Sequence, residues 1–353
     1  ARDLKEGLKE FGLNFDATSD SEVVSSLIAY YIMREKDTLK GIIKASSILE
    51  GAFSLIIMTS DNKLIAVRDP NGYRPLCIGK NEIGYAVSSE SCALDSCGFE
   101  FFRDVLPGEI VIIENGDITY QNICLHNKRT HAGLCIFEYV YFSRADSVID
   151  NLSVYNARFN MGKQLAIEYP VDADVVCGVP DSGLEAAAGF SVQSGIPLVT
   201  GFVKNRYVGR SFIYPTQSER ESAVKLKHNP LKATIKGKKI VLVDDSIVRG
   251  TTSEKIVSAL KHAGALEVHM RISSPPFKFT CHYGTDIDDE ENLIANKMSL
   301  DEICQKIGAD SLGYISIKGL KSACGECNLP FCTACFSGKN NIQSCKKNVL
   351  ENI

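Results

Sequence analysis

The stretch from Lys239 to Gly264 constrains this chain more than any other. Ile240-Val241-Leu242-Val243 is a short apolar run held between Gly237-Lys238-Lys239 and the acidic pair Asp244-Asp245. Such a run predicts a buried strand of a parallel sheet whose carboxyl end faces solvent. Ser246-Ile247-Val248-Arg249-Gly250-Thr251-Thr252 follows, and then a helix with Ile256, Val257 and Leu260 on one stripe, ended by Gly264. A strand, a Gly/Thr loop and a helix N-terminus together make an anion site, because loop amides, the Thr251, Thr252 and Ser253 hydroxyls and the positive helix end converge there. The GxxxxGK[ST] spacing of a Walker A loop is absent. Two carboxylates directly ahead of a phosphate loop repel the phosphate if they face it. They are therefore expected to meet hydroxyls or Mg²⁺, which takes one or two carboxylates plus substrate phosphates. A strand-end acidic pair that only caps the next helix is the plainer alternative.

The surroundings fit a parallel sheet from about Ala132 onward. VDADVVCGV, PLVTGFV, IVLVDD and EVHMRIS read as strands, alternating with the helical GLEAAAGFSVQSG and SEKIVSALKHAG. The front reads differently. Residues 18–33 predict a helix with Ser19 and Glu22 as a capping box, and with Val23, Leu27 and Tyr31 on one stripe beside Val24 and Ile28. From Gly51 the pattern turns to antiparallel strands, AFSLIIM and KLIAVRD around Ser60-Asp61-Asn62, then Pro70-Asn71-Gly72 and short strands to about Ile113. The loop-rich stretch Tyr120 to Gly133, with His126, Asn127 and His131, is the expected linker. A length of 353 residues fits two domains.

Composition removes several function classes. Lys plus Arg is 39 and Asp plus Glu is 43, a net charge of −4, which disfavours a nucleic-acid partner. The longest apolar runs, such as Ala52 to Met58, fall short of the roughly 18 residues a membrane span needs, so no membrane is expected. Thirteen cysteines, most of them scattered singly, fit a reducing, cytoplasmic compartment. The exception is Cys324, Cys327, Cys332 and Cys335, a C-x₂-C-x₄-C-x₂-C run that points to metal or cluster ligation. Zinc ribbons usually part their knuckles by about 15–20 residues, and Cys-rich runs also hold iron–sulfur clusters, so spacing leaves zinc and iron both open.

VLVDDSIVRGTTS resembles the phosphoribosyl pyrophosphate motif of type I phosphoribosyltransferases, in the version carried by the glutamine phosphoribosylpyrophosphate amidotransferase family. FEYVYFSRADS at Phe137 to Ser147, GVPDSGLEAAAGF at Gly178 to Phe190 and KNRYVGRSFIYP at Lys204 to Pro215 match the same family. The resemblance runs through essentially the whole chain. It implies an α+β front over residues 1–130, a partial N-terminal-nucleophile glutaminase domain of antiparallel sheets with helices. Residues 131–353 would be an α/β type I phosphoribosyltransferase domain, a parallel sheet with helices, with a Cys-rich tail at 324–345. The implied reaction opens de novo purine biosynthesis. Phosphoribosyl pyrophosphate and glutamine, or ammonia, become 5-phosphoribosylamine, pyrophosphate and glutamate.

Carried over residue by residue, the resemblance puts Asp244 and Asp245 at the ribose diol and Mg²⁺. Ser246, Arg249, Gly250, Thr251 and Thr252 fall around the 5′-phosphate. Asp181, Ser182 and Gly183 would border the pyrophosphate, with Ser182 also at Mg²⁺, and Lys204, Arg206 and Arg210 would close over it. Asp20 would hold the glutamine amino group. The family nucleophile is an N-terminal cysteine, whereas this sequence opens on Ala1. An N-terminally incomplete amidotransferase is thus expected, with glutamine hydrolysis absent and the ammonia-dependent reaction retained. One branch of the family carries a [4Fe–4S] cluster, whose ligand positions match Cys135, Cys281, Cys332 and Cys335, leaving Cys324 and Cys327 aside. The resemblance also implies a homotetramer, purine nucleotide inhibitors and an ammonia channel. The alternatives are a phosphoribosyl-pyrophosphate-binding regulator without catalysis, a nucleobase-salvage transferase and a zinc-ribbon module.

Overall fold

The computed structural model describes residues 2–17, 19–123, 133–204, 228–285, 287, 289–325 and 329–339. They fall into two compact units, one gathering Ala1–Cys135 with His282–Gly284 and the other Ile136–Cys281 with Thr285–Lys339. Most of the expected linker, residues 124–132, lies outside the described residues.

The first unit begins with helices α1 (Arg2–Glu10), α2 (Asp20–Glu35) and α3 (Thr38–Ile48). Strands β1 (Ser54–Met58), β2 (Leu64–Arg68), β6 (Glu109–Glu114) and β7 (Asp117–Asn122) form an antiparallel sheet in the order β1-β2-β6-β7. A second sheet, β4-β3-β5, is built from β3 (Cys77–Asn81), β4 (Gly84–Ser88) and β5 (Glu100–Asp104), with α4 (Ser91–Ser96) between β4 and β5. Alternation in β2 and β6 fixes the layering, because successive side chains face opposite ways. Ile65, Val67, Ile110 and Ile112 pack with Leu8, Leu27 and Tyr31 of the helices. Ala66 and Val111 pack with Leu76, Ile78 and Val105 on the second-sheet side.

Val23, Leu27, Ile28 and Tyr31 are buried on α2, as the stripe predicts. The expected capping box is not made. Ser19 Oγ accepts from the Ser21 amide at 3.1 Å, while the Glu22 carboxylate accepts from Asp16 and Ala17 at 2.9 and 3.0 Å. Glu22 thereby ties down two amides of the incoming chain, one on each oxygen. The full box occurs instead at Ser299 and Glu302, at the start of Leu300–Ile307.

In the second unit β8 (Val175–Gly178), β11 (Lys239–Asp244), β12 (Glu267–Ile272) and β13 (Ser311–Tyr314) form a parallel sheet in that order. Ile240 and Leu242 of β11 meet Ile256, Val257 and Leu260 of α7 (Thr251–His262) and Ile303 and Ile307 of α8 (Leu300–Ile307). Helices α5 (Val154–Glu168) and α6 (Leu184–Ser194) pack backbone to backbone. A Cβ on Gly162 would lie 1.8 Å from the Ala186 carbonyl oxygen, so only glycine fits there. A last helix, α9 (Ile317–Cys324), packs against α5.

PLVTGFV is not one strand. Leu198 makes a single parallel bridge to Val176, and β9 (Phe202–Lys204) pairs antiparallel with β10 (His228–Pro230) outside the main sheet. The break falls where Gly201 presses on Cys177, with a would-be Cβ 2.6 Å from its Sγ. No described helix is long and apolar enough to cross a membrane.

Candidate active site

The site grows from the carboxyl end of β11. Parallel pairing on both sides buries that strand and delivers Asp244 and Asp245, 7% and 8% exposed, to the sheet edge. Next door, β8 runs into Val179, whose amide donates to the Val243 carbonyl at 2.8 Å. Gly183 lies so close to that carbonyl that a Cβ would stand 2.5 Å from its oxygen. The loop between them, with a cis Pro180–Asp181 peptide, is therefore pressed onto the end of β11. Its Ser182 hydroxyl donates to one Asp245 oxygen and the Ser246 hydroxyl to the other.

Burial pushes both carboxyls above the usual range, and Asp245 pushes Asp244 higher still; the Ser182 and Ser246 hydroxyls partly restrain Asp245. Two like charges taken out of water side by side call for a cation, and the available donors are all oxygens. That donor set fits Mg²⁺, which needs no more than two protein carboxylates when substrate phosphates complete its shell.

Gly250 caps α7 in the left-handed region at φ 82°, and a Cβ there would meet Ile294 Cδ1 at 2.8 Å. No side chain caps this helix end among the described residues. Its first amides, with the exposed Thr251 and Thr252 and the buried Ser253, make a helix N-terminus suited to an anion. A cleft of about 690 Å³ opens over this ground. Ser182, Asp244, Asp245 and residues 246–253 form one side, and Phe137, Tyr141, Phe142 and Phe277 stand among its remaining walls. A neighbouring cleft of about 570 Å³ shares Tyr141, Phe142, Pro180 and Ser182 and adds Asp181, Arg144, Arg158 and Glu185.

Of the residues expected at the site, Asp181, Ser182, Gly183, Asp244, Asp245, Ser246, Arg249, Gly250, Thr251 and Thr252 are brought together, Arg249 with an exposed side chain. Lys204 ends β9, while Arg206 and Arg210 lie outside the described residues. Asp20 starts α2 in the first unit, exposed, in a cleft of about 540 Å³ that also takes in Asp3 and Ser54. The aromatic wall carries no expected residue. It comes from FEYVYF, whose Glu138–Phe142 segment is a π-helical turn, and from the SSPPFKF run. Its traces in the sequence are the density of rings and the place of FEYVYF in a segment that resembles the family.

Cys332 and Cys335 lie together at the end of the second unit, where the Ile136 amide donates to Cys332 O and the Lys278 and Phe279 amides donate to Cys335 O. Cys281 is half-buried, Cys324 is buried on α9, and Cys327 lies outside the described residues. Cys135, also half-buried, is the last residue of the first unit's main segment. Among the described residues no three Cys, His, Asp or Glu side chains converge as a metal-holding group. Elsewhere Cys77 and Cys177 are core residues whose thiols burial pushes up to about 12.

Known proteins supply independent parallels to this geometry. A family model described as a glutamine amidotransferase domain matches residues 1–96, and one described as a phosphoribosyl transferase domain matches residues 156–273. The chain is 46% identical to the amidophosphoribosyltransferase of Archaeoglobus fulgidus over 95% of its own length and 73% of that protein. It is 47% identical to the Methanocaldococcus jannaschii enzyme over 96% and 74%. The solved glutamine phosphoribosylpyrophosphate amidotransferase of Bacillus subtilis, complexed with ADP and GMP, superposes with a TM-score of 0.85 at 44% identity, covering 97% of this chain and 75% of that one. With a glutamine amidotransferase domain followed by a phosphoribosyltransferase domain, the chain belongs to the amidophosphoribosyltransferase family.

Proposed function

We propose that this chain makes 5-phosphoribosylamine from phosphoribosyl pyrophosphate, the first step of de novo purine biosynthesis. The observation that carries this is the junction of Ser182 with the buried Asp244-Asp245 pair, directly ahead of an uncapped Gly250–Thr252 helix start. The loop of residues 246–252 holds the 5′-phosphate, and the acidic pair takes the ribose diol. The C1–O bond breaks with its electrons leaving on pyrophosphate, the nitrogen of ammonia bonds to C1, and the nitrogen sheds a proton. Asp244, Asp245 and Ser182 would hold Mg²⁺, which when bound supplies positive charge to the departing pyrophosphate. No covalent enzyme intermediate is needed, so positioning and electrostatics supply the rate.

Further assignments follow the family. Lys204, Arg206 and Arg210 close over pyrophosphate, and Asp20 holds the glutamine amino group. Purine nucleotides inhibit, as the ADP and GMP of the B. subtilis complex encourage. A homotetramer, a cytoplasmic location and a [4Fe–4S] cluster at Cys135, Cys281, Cys332 and Cys335 belong to the same proposal.

The test supplies anaerobically purified chain with phosphoribosyl pyrophosphate, Mg²⁺ and ammonium chloride, and separately with glutamine. Phosphoribosylamine formed with ammonia is the expected result. Tight binding of phosphoribosyl pyrophosphate without turnover would replace the enzyme with a regulator.

A further inference from the structure

Arg158 is a buried cation that the proposed chemistry leaves unused. It lies on α5 and is 5% exposed. Its Nε donates to the Tyr139 carbonyl at 2.8 Å and its Nη2 to the Ser143 carbonyl at 2.6 Å. Those carbonyls lie in and just beyond the π-helical turn Glu138–Phe142, whose own closing bond runs from the Ser143 amide to Glu138 O. A guanidinium at the carbonyl end of such a turn satisfies groups that have no partner within it and opposes the negative pole. The same guanidinium, through Nη1, stands 3.8 Å from Glu185 at the start of α6, directly after the Ser182 loop.

One side chain thus faces both walls. The turn it fixes carries Tyr141 and Phe142, and the ring of Phe137 meets Phe142 at 5.1 Å and Phe277 at 5.3 Å. These rings line the cleft that Ser182 and Asp245 also line.

We propose that Arg158 is a positioning residue that holds this aromatic wall at a fixed distance from Ser182 and Asp245, keeping water away from the carbon that ammonia attacks. The proposal rests on the amination proposed above. When the wall loosens, water takes ammonia's place. Its oxygen bonds to C1 and sheds a proton, the C1–O bond breaks onto pyrophosphate, and ribose 5-phosphate is the product. Lysine cannot replace the arginine, because a point charge does not reach two carbonyls with a planar fork.

The test compares wild type, Arg158→Lys and Arg158→Ala for phosphoribosylamine and ribose 5-phosphate formed per pyrophosphate released. With Arg158→Lys the amination kcat should drop by about tenfold or more, as loss of alignment predicts. KM for phosphoribosyl pyrophosphate should hold within about threefold, since the phosphate loop is untouched, and the hydrolytic share should rise. Millimolar guanidinium should restore amination to Arg158→Ala, a response a general packing defect does not give. An unchanged product ratio, or equal loss of both products without rescue, overturns the proposal. So does failure of both variants to melt cooperatively, which would make Arg158 a fold residue. If wild type itself forms no phosphoribosylamine, the amination reading fails first, and that is seen before any variant is made.

Discussion

Strand β2 of the first unit and strand β11 of the second both end in a buried charged pair, Arg68-Asp69 and Asp244-Asp245. The Arg68 guanidinium donates to the carbonyls of Arg74, Val105 and Gly72 at 2.9, 2.7 and 3.1 Å. Asp69 accepts from the amides of Asn71, Gly72 and Tyr73 at 2.9, 2.8 and 3.0 Å. Opposite charges, saturated by nearby backbone, make a turn. In Asp244-Asp245 the charges are alike and the side-chain donors to Asp245 are two neutral hydroxyls. Burial alone therefore does not mark a site. The sign of the pair and the source of its partners do, because two like buried charges near a single buried cation, Arg158, are stable only when something from outside completes their compensation.

Removing a charge from each pair breaks the comparison most sharply. Asp245→Asn keeps the shape and an acceptor for one serine hydroxyl while halving the charge offered to Mg²⁺ and the diol. Ammonia-dependent turnover should fall by about 10²–10³, while the thermal midpoint stays level or rises because less buried charge remains. A variant with near-normal turnover would return the acidic pair to the helix-capping role. Arg68→Met should do the opposite. It strands three carbonyls and a buried carboxylate, so unfolding free energy should drop by about 3–5 kcal/mol in denaturant titration. Turnover with ammonia below the transition should hold within about twofold.

The difference between the pairs also decides what could be read from sequence. VLVDD followed by a Gly/Thr loop is a local string in which periodicity, turn chemistry and charge all agree, and it folds as expected. Ser182 is 63 positions from Asp245, and nothing local joins them; the family resemblance supplied what only a parallel sheet can bring about. The aromatic wall and Arg158 stayed hidden for a different reason. A π-helical turn has no hydrophobic period to detect, and an arginine on a helix reads as surface until tertiary contacts bury it. Glu22 and Gly201 show the third kind of failure. Their local signals were genuine, but tertiary partners, the Asp16 and Ala17 amides and Cys177, outbid them.

The finest distinction between the pairs is a pH slope in the first unit. Burial pushes Asp69 up to about 6, against the pull of its amide donors and Arg68. Between about pH 4, where an unfolded aspartate has lost its proton, and pH 6, the folded unit still holds that proton. Stability should then fall as pH rises through this window and level off above it. Asp61, held low mainly by hydrogen bonds with Thr59 and Lys63, acts in the opposite sense and only at more acid pH, so it does not mask the effect. Thermal melts from pH 4 to 7 should show a decline of about 5 °C. Asp69→Asn should melt lower throughout, since its amide nitrogen faces an N–H donor, but with a shallower decline than wild type, the remainder belonging to the raised Asp244 and Asp245 carboxyls of the second unit. If Asp69→Asn keeps the full wild-type slope, the Asp69 carboxyl is already ionised at pH 4 and the amides and Arg68 outweigh its burial. The Arg68-Asp69 turn would then be a fully compensated ion pair, and the contrast with Asp244-Asp245 would be wider than burial alone implies.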